Sequence, residues 1–374
     1  MAIGYNTFEV RIDLNAIRHN YRVLCEKGSN VYGVIKADAY GHGMERVAKA
    51  LESEGADTFA VGTIGEAVQL RHNGSEKRII SLVGPLNEAD CLDLAENKII
   101  PFIGSFDQLD LLTSVVKKNN LEVEISLKFE TGMSRLGFNT DELPKLIKAL
   151  KIIPQIHPVM ASSHLATSDD PAYEDYVESQ AAKFKFILET LESAGIKVEA
   201  SLANSAGILK HDKLHFSAQR GGVALYGVNP LSGTKWEDFG TNLKPAMQVC
   251  TKIATVRELK KGQSISYGCT YTAQKDMKVA IVCAGYADGY SRGLSSKGFM
   301  CINGHRAPIV GRVCMQLTAV DISAIPDVKF GDTAYLLGGE GAGFITAEDL
   351  ASWWGTITYE IFCLLGLSPK SYIE

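Results

Sequence analysis

Several features are missing from this sequence, and each absence excludes something. No apolar run reaches the roughly 20 residues that a helix needs to cross a bilayer. There is no basic excess. The 38 Lys and Arg residues face 43 Asp and Glu, for a net charge of -5. A dedicated nucleic-acid binder, whose phosphate contacts demand a basic face, is therefore not expected. The 8 cysteines (Cys25, Cys91, Cys250, Cys269, Cys283, Cys301, Cys314 and Cys363) are scattered, with no Cys-x-x-Cys pair. They read as reduced thiols, mostly small core residues, and not as a disulfide framework or a zinc site. The opening Met1–Asn6 lacks a basic stretch followed by an apolar one, so no secretory leader is expected. These absences point to a cytoplasmic protein without nucleic-acid, membrane or metal partners.

What is present is an ordinary globular composition, 46% hydrophobic and 22% charged over 374 residues. That length exceeds a typical single domain of about 100–200 residues, which predicts two domains or one α/β barrel with an appendage. The chain opens with a short strand, Phe8–Ile12. A helix follows, with Asp13 as its N-cap candidate and an apolar stripe of Leu14, Ile17, Tyr21 and Leu24.

From residue 31 apolar, β-branched runs recur at Val31–Lys36, Thr58–Ile64, Arg78–Val83, Ile99–Ile103, Val123–Phe129, Ile156–His164, Val198–Ala203 and His215–Tyr226. Segments of helical spacing separate most of them. Strands without polar alternation belong to parallel sheets covered on both faces. Eight such units predict a (β/α)8 TIM-type barrel, although an open doubly wound sheet shares the local pattern. Near residue 235 the texture changes. Short alternating strands follow, at Gln248–Val256, Lys278–Ala284, Gly298–Ile302, Ala307–Val313 and Asp332–Leu337, with Asn303-Gly304 as a hairpin turn. The expected domains are 1–235, the barrel, and 236–374, mainly β. The first strand is a candidate partner for the second domain.

In such a barrel, chemistry gathers where strands end. Lys36 closes the first strand. Desolvation there would lower its pKa, and a neutral amine can form a Schiff base or act as a general base. A lysine snorkelling to solvent from the same position is the bland alternative. Tyr40, Ser205 and the amides around Gly222-Val223 are candidate phosphate contacts, because hydroxyls and glycine-exposed amides supply donors. Gly339-Glu340-Gly341-Ala342-Gly343 lacks a strand-to-helix context and reads as a loop. His211 and His215 read as packing or surface residues.

The segments Val34–Gly43, Lys128–Gly137, Ser163-His164, Asn204–Ala206, Arg220–Gly227, Ser266–Tyr271, Gly285–Gly289, Gly311–Met315 and Thr358–Glu360 occur together in this order. The whole chain thereby resembles the alanine racemases, isomerases that use pyridoxal 5'-phosphate. The resemblance implies a barrel followed by a β domain, in a homodimer whose active sites are shared between chains. It implies that Lys36 holds the cofactor as an aldimine. Tyr40, Asn204, Ser205, Gly222, Val223 and Tyr359 would bind the cofactor, and Arg220 would face its pyridine nitrogen. Lys36 and the partner's Tyr267 would be the two bases, with His164 bonded to Tyr267 and supported by Arg220. Arg135, the Met315 amide, Lys128 and Tyr271 would serve the substrate, and Lys128 is often carbamylated in the family. Asp169, Arg292 and Arg312 match positions lining the substrate's approach. Gln316 stands where aspartate is usual, and Gly221 where a bulkier residue is common. The activity implied is interconversion of L- and D-alanine, supplying D-alanine for peptidoglycan. The alternatives are a serine or broader small-amino-acid racemase, a decarboxylase on the same barrel, and a non-catalytic cofactor-binding protein.

Overall fold

The computed structural model describes residues 7–374; Met1–Asn6, read above for a leader, lie outside them. Two compact units are present. One contains Ala16–Ala39 and Met44–Lys244, and the other contains residues 7–15, Tyr40–Gly43 and Pro245–Glu374.

Strand β1 (Glu9–Asp13) leads into a helix, Leu14–Lys27. Eight parallel strands follow: β2 (Val31–Val34), β3 (Thr58–Val61), β4 (Arg78–Ser81), β5 (Ile99–Ile103), β6 (Val123–Lys128), β7 (Ile156–Ser162), β8 (Glu199–Ser201) and β9 (Gln219–Gly221). Their order is β8-β7-β6-β5-β4-β3-β2-β9. The ring closes where Ser201 bridges Ala218 and the Arg220 amide donates to Ala203 O at 3.0 Å. This is the expected barrel and not an open sheet.

Every residue of β2, β3 and β5 is buried, which is why their sequences show no polar alternation. Helices Ile64–His72, Glu88–Glu96 and Phe106–Asn119 start on Thr63, Asn87 and Ser105, whose side chains accept from the amides of Glu66, Asp90 and Gln108. Between sheet and helices lies a core that includes Leu109, Phe129, Phe138, Phe184 and Ile187. The eighth strand is shorter than the expected His215–Tyr226. Only Gln219–Gly221 is extended, between 3-10 turns at Asp212–Leu214 and Val223–Tyr226. Gly222, at φ -112° and ψ -108°, leaves the β region and ends it.

Within the barrel, alternate strands place one polar group together. Tyr32 of β2 donates to Glu199 Oε2 of β8 at 3.0 Å, and Arg78 of β4 pairs with the same oxygen. Tyr32 is also the register neighbour of Arg220.

The second unit is built on β10 (Met247–Leu259), followed by β11 (Ser264–Ile265), β12 (Tyr271–Thr272), β13 (Met277–Val282), β14 (Phe299–Ile302), β15 (His305–Pro308), β16 (Thr318–Asp321), β17 (Thr333–Leu337) and β18 (Lys370–Ile373). Strand β1 pairs here, antiparallel to β10 and parallel to β18. A register shift at Ile253/Thr255 lets β10 pair with β17 through one half and β13 through the other. Asn303 and Gly304 have φ of 46° and 75°, as a two-residue hairpin turn requires. The expected mainly β architecture is present, with two helices beside it, Ala347–Trp354 and Thr358–Leu365.

Candidate active site

The C-terminal ends of the barrel strands carry Lys36, Lys128, His164, Asn204, Ser205 and Arg220. Arg220 is the most constrained of them, at 6% exposure. Its Nη1 donates to Ser201 O at 3.0 Å and Ser201 Oγ at 2.5 Å. Its Nη2 donates to Ser163 O at 2.6 Å, Leu202 O at 3.4 Å and His164 Nδ1 at 3.4 Å. Nε makes no hydrogen bond among the described residues. Burial lowers the guanidinium pKa to about 10, partly opposed by Tyr32, so it stays a cation at neutral pH.

His164 is held neutral. Burial pushes its pKa well below the ordinary value, and the cations Arg220, Lys128, Arg135 and Lys36 push the same way. Because a guanidinium only donates, His164 Nδ1 is the acceptor and Nε2 carries the proton. Lys128, 8% exposed, has its pKa lowered to about 7 by burial and by repulsion from Arg220 and Arg135, with Glu130 opposing. Burial also acts to raise the Glu130 carboxyl. The amides of Ser134, Gly132 and Arg135 outweigh it and hold that group below the usual carboxylate range. Glu130 thereby shapes the loop that presents Arg135, which is exposed.

Of the phosphate candidates, Ser205 and the Gly222-Val223 turn lie together in the barrel unit. Helix Ser205–Lys210 and the turn Val223–Tyr226 both begin here. Ser205 Oγ accepts from Gly222 N at 2.9 Å and Ala224 N at 3.3 Å. Asn204 caps the helix through Gly207 N at 3.0 Å. The Val223 amide finds no acceptor among the described residues, as is usual for a first-turn donor. The donor set suits a phosphorylated pyridine aldehyde. First-turn amides and a hydroxyl suit a phosphate, Arg220 Nε suits a ring nitrogen, and a lysine amine suits an aldehyde.

Lys36 stands at the start of an unusual turn. Ala37, Asp38, Ala39 and Tyr40 all have φ between 52° and 54°, in the left-handed region, and Gly41 follows at 77°. Left-handed geometry costs an L-residue roughly 1–2 kcal/mol, so four in succession need external support. Within the barrel unit, Glu66 Oε1 accepts from Ala37 N at 2.7 Å and Asp38 Oδ1 from Met44 N at 2.7 Å. Within the second unit, a Cβ on Gly41 would lie 2.2 Å from Phe362 O, so only glycine allows that approach.

Except for Asp169 and Gly221, the remaining candidates belong to the second unit. Tyr40 is 6% exposed, and its ring meets Tyr359 at 5.7 Å between centroids. Burial raises its phenol pKa, with Tyr359 and Cys363 adding to the effect, so it remains a neutral donor. Tyr267 is 73% exposed. Its backbone is nonetheless anchored, since Ser266 Oγ donates to Arg312 O at 2.7 Å and Ser266 itself has φ of 69°. Met315 is 58% exposed, on a segment where Met315 O accepts from Ala287 N at 2.9 Å. Tyr271 donates to Met277 Sδ at 3.7 Å. Arg292, Gln316 and, in the barrel unit, Asp169 are exposed; Arg312 is half-buried. Gly221 is buried, and a Cβ there would lie 2.9 Å from Leu24 Cδ1.

The sequence reading placed Glu130 and Ser163 at strand ends without giving them a role, and missed Glu66, Ser201 and Tyr32. Only Glu66 carries a legible signal, because Thr63-x-x-Glu66 is a capping-box pattern.

Comparisons with known proteins place the chain in a family. The family model for the alanine racemase N-terminal domain matches residues 12–230, and that for the C-terminal domain matches 246–372. An alanine racemase of Nitratidesulfovibrio vulgaris is 49% identical over 374 residues, covering 100% of both chains. The crystal structure of alanine racemase from Bacillus anthracis with bound L-Ala-P superposes with a TM-score of 0.92 at 31% identity, covering 100% of this chain and 96% of that one. The enzyme from Bartonella henselae, with covalently bound pyridoxal phosphate, gives 0.89 at 32% identity, covering 98% and 99%. Fold and relatives coincide: the chain belongs to the alanine racemases, pyridoxal-phosphate-dependent isomerases that interconvert the two forms of alanine.

Proposed function

We propose that the reaction runs by two bases on opposite faces of Cα, Lys36 on the D-face and the partner subunit's Tyr267 on the L-face. When bound, pyridoxal phosphate supplies an electron sink for the charge left at Cα after proton loss. Lys36 Nζ binds the cofactor and serves as one base. Ser205, Asn204, Gly222, Val223, Tyr40 and Tyr359 hold the phosphate. Arg220 Nε faces the pyridine nitrogen. With a pKa near 10, Arg220 gives up no proton to that nitrogen at neutral pH. It donates a hydrogen bond only, which restrains the sink and disfavours side reactions such as transamination. Neutral His164 offers Nε2–H to the phenolate form of Tyr267. Arg135 and the Met315 amide receive the substrate carboxylate, and Tyr271 lines the same pocket.

The observation that carries this reading is Arg220, buried with both Nη atoms spent on carbonyls, a hydroxyl and His164, and with Nε unspent. The exposure of Tyr267 supports a homodimer, since a base 73% open to water needs a second surface to exclude solvent from it. All 8 cysteines are free thiols, which accords with a cytoplasmic supplier of D-alanine for peptidoglycan.

The test is chiral product analysis of the cofactor-loaded protein given L-alanine and L-serine separately. A near-equal D/L mixture from alanine alone supports the reading. Comparable rates on serine make it a broader racemase and turn attention to Gln316. Release of carbon dioxide without racemisation overturns it.

A further inference from the structure

Glu66 does more than cap a helix. The carboxylate half of a capping box needs one oxygen, and Oε2 fills that role by accepting from Gly62 N at 2.7 Å and Thr63 N at 3.2 Å. Oε1 is directed elsewhere. It accepts from Ala37 N at 2.7 Å, the peptide nitrogen immediately after Lys36 and the first in the left-handed turn.

We propose that Glu66 is the positioning residue of Lys36. Its carboxylate ties the peptide that leaves β2 to the amides that open the helix after β3, the neighbouring strand. This fixes the direction in which the Lys36 Cα–Cβ bond leaves the backbone. Lysine has a flexible four-carbon stem, so the direction of its first bond decides which volume its amine samples. The contact is close on all sides. A Cβ built on Gly62 would stand 2.9 Å from Glu66 Oε2 and 3.4 Å from Lys36 Cβ. Three N–H donors converge on the carboxylate, from Ala37, Gly62 and Thr63. A carboxylate offers acceptors on both sides, whereas an amide would set its own NH2 against one of these donors. Only the ionised residue closes both ends of the tie.

This inference rests on Lys36 being the cofactor-bearing lysine, and the test separates the two claims. Wild type, Glu66→Gln, Glu66→Asp and Thr63→Ala are prepared with pyridoxal phosphate. Borohydride reduction and peptide mapping of wild type come first. A reduced cofactor label on another lysine, or none, rejects the reading of Lys36 itself. With the label on Lys36, the variants decide on Glu66 through cofactor retention, the pH titration of the bound cofactor's visible absorbance, and kcat.

Thr63→Ala removes the other half of the capping box and leaves the Ala37 tie intact. It should lower the melting temperature but leave absorbance titration and kcat as in wild type. Glu66→Gln should lower kcat by about tenfold to a hundredfold, the scale of a displaced reacting group. It should also loosen the cofactor and shift the titration midpoint. Glu66→Asp, with a shorter reach, should fall between the two and carries the comparison if Glu66→Gln does not fold. Glu66 variants that lose stability as Thr63→Ala does, with titration and kcat unchanged, would overturn the proposal.

Discussion

The barrel mouth and the Tyr267 segment solve opposite problems. At the mouth, Arg220 is buried and its two Nη atoms are spent on fixed partners, while burial and neighbouring cations keep His164 neutral and leave Lys128 about half-ionised near pH 7. On the Tyr267 segment the backbone is pinned through Ser266, yet the phenol is 73% exposed. One region is electrostatically finished within a single chain. The other is mechanically finished but chemically incomplete, because a base open to water lacks the solvent-excluded, fixed surroundings that proton abstraction from carbon needs. Under the proposed two-base reading, a single chain supplies most of one site and a reactive group suited to another.

The largest effect should come from the mouth. Lys36→Ala should remove activity to background, a loss of order 10⁴-fold or more for a nucleophile of this kind. It should also remove the visible absorbance of the lysine-bound cofactor. Retained absorbance and turnover would dissolve the contrast between the two regions.

Next comes the exposed side. Tyr267→Phe should keep the cofactor spectrum and slow α-deuterium exchange from L-alanine by about 10²–10⁴-fold, the usual share of a general base. Exchange from D-alanine should suffer less. Mixing Lys36→Ala with Tyr267→Phe chains sharpens the comparison. A mixed dimer holds one site with both wild-type residues and should regain activity. Verified mixed dimers without activity would show that Lys36 and Tyr267 serve the same chain's site.

A third test probes how far the mouth is poised. Lys128 has a pKa of about 7 in the fold, below its unfolded value, so the unfolded chain binds protons more tightly. Stability should therefore rise as pH climbs from about 7 toward 10.5, and the group's full cost, several kcal/mol, applies below that window. His164 acts with the same sign below pH 6.5. Lys128→Met should then be more stable than wild type at pH 7, because the buried ammonium and its repulsion by Arg220 and Arg135 are removed. A half-neutral amine also adds to carbon dioxide, giving a carbamate and releasing one proton. That anion would turn two repulsions, from Arg220 and Arg135, into attractions. Bicarbonate should raise the melting temperature of wild type and leave Lys128→Met unchanged. Equal responses in a denaturation series would remove Lys128 from the account.

Much of this was legible in the sequence, for identifiable reasons. Covered parallel strands leave unbroken apolar runs, so β2 to β8 could be seen. Asn303-Gly304 announces its turn by composition. The left-handed turn could not be seen, because Ala37, Asp38, Ala39 and Tyr40 carry none of glycine's signal, and the contacts that support it are tertiary. For the same reason nothing local says that Tyr40–Gly43 groups with the C-terminal unit while Lys36 stays with the barrel. Lys36 and the phosphate donors stood out by position at strand ends. Arg220's use of both Nη atoms, Glu66's second oxygen and the Tyr32 contact depend on partners up to 167 positions away.

The smallest expected effect tests whether the mouth is supported from within the barrel. Tyr32→Phe deletes the hydroxyl that Glu199 accepts, but leaves Glu199 paired with Arg78. No buried charge is left without a partner, so the loss should stay near 1 kcal/mol, the net value of one hydrogen bond. Arg220 keeps all its direct hydrogen bonds in this variant. Its register neighbour Tyr32 is a neutral phenol, since burial raises its pKa. Removing that hydroxyl should leave the cofactor's spectrum in place and change kcat only slightly. Denaturant unfolding paired with the absorbance titration checks this. A spectral shift larger than the stability loss would mean that the barrel interior, and not the carbonyl cage alone, sets the character of Arg220.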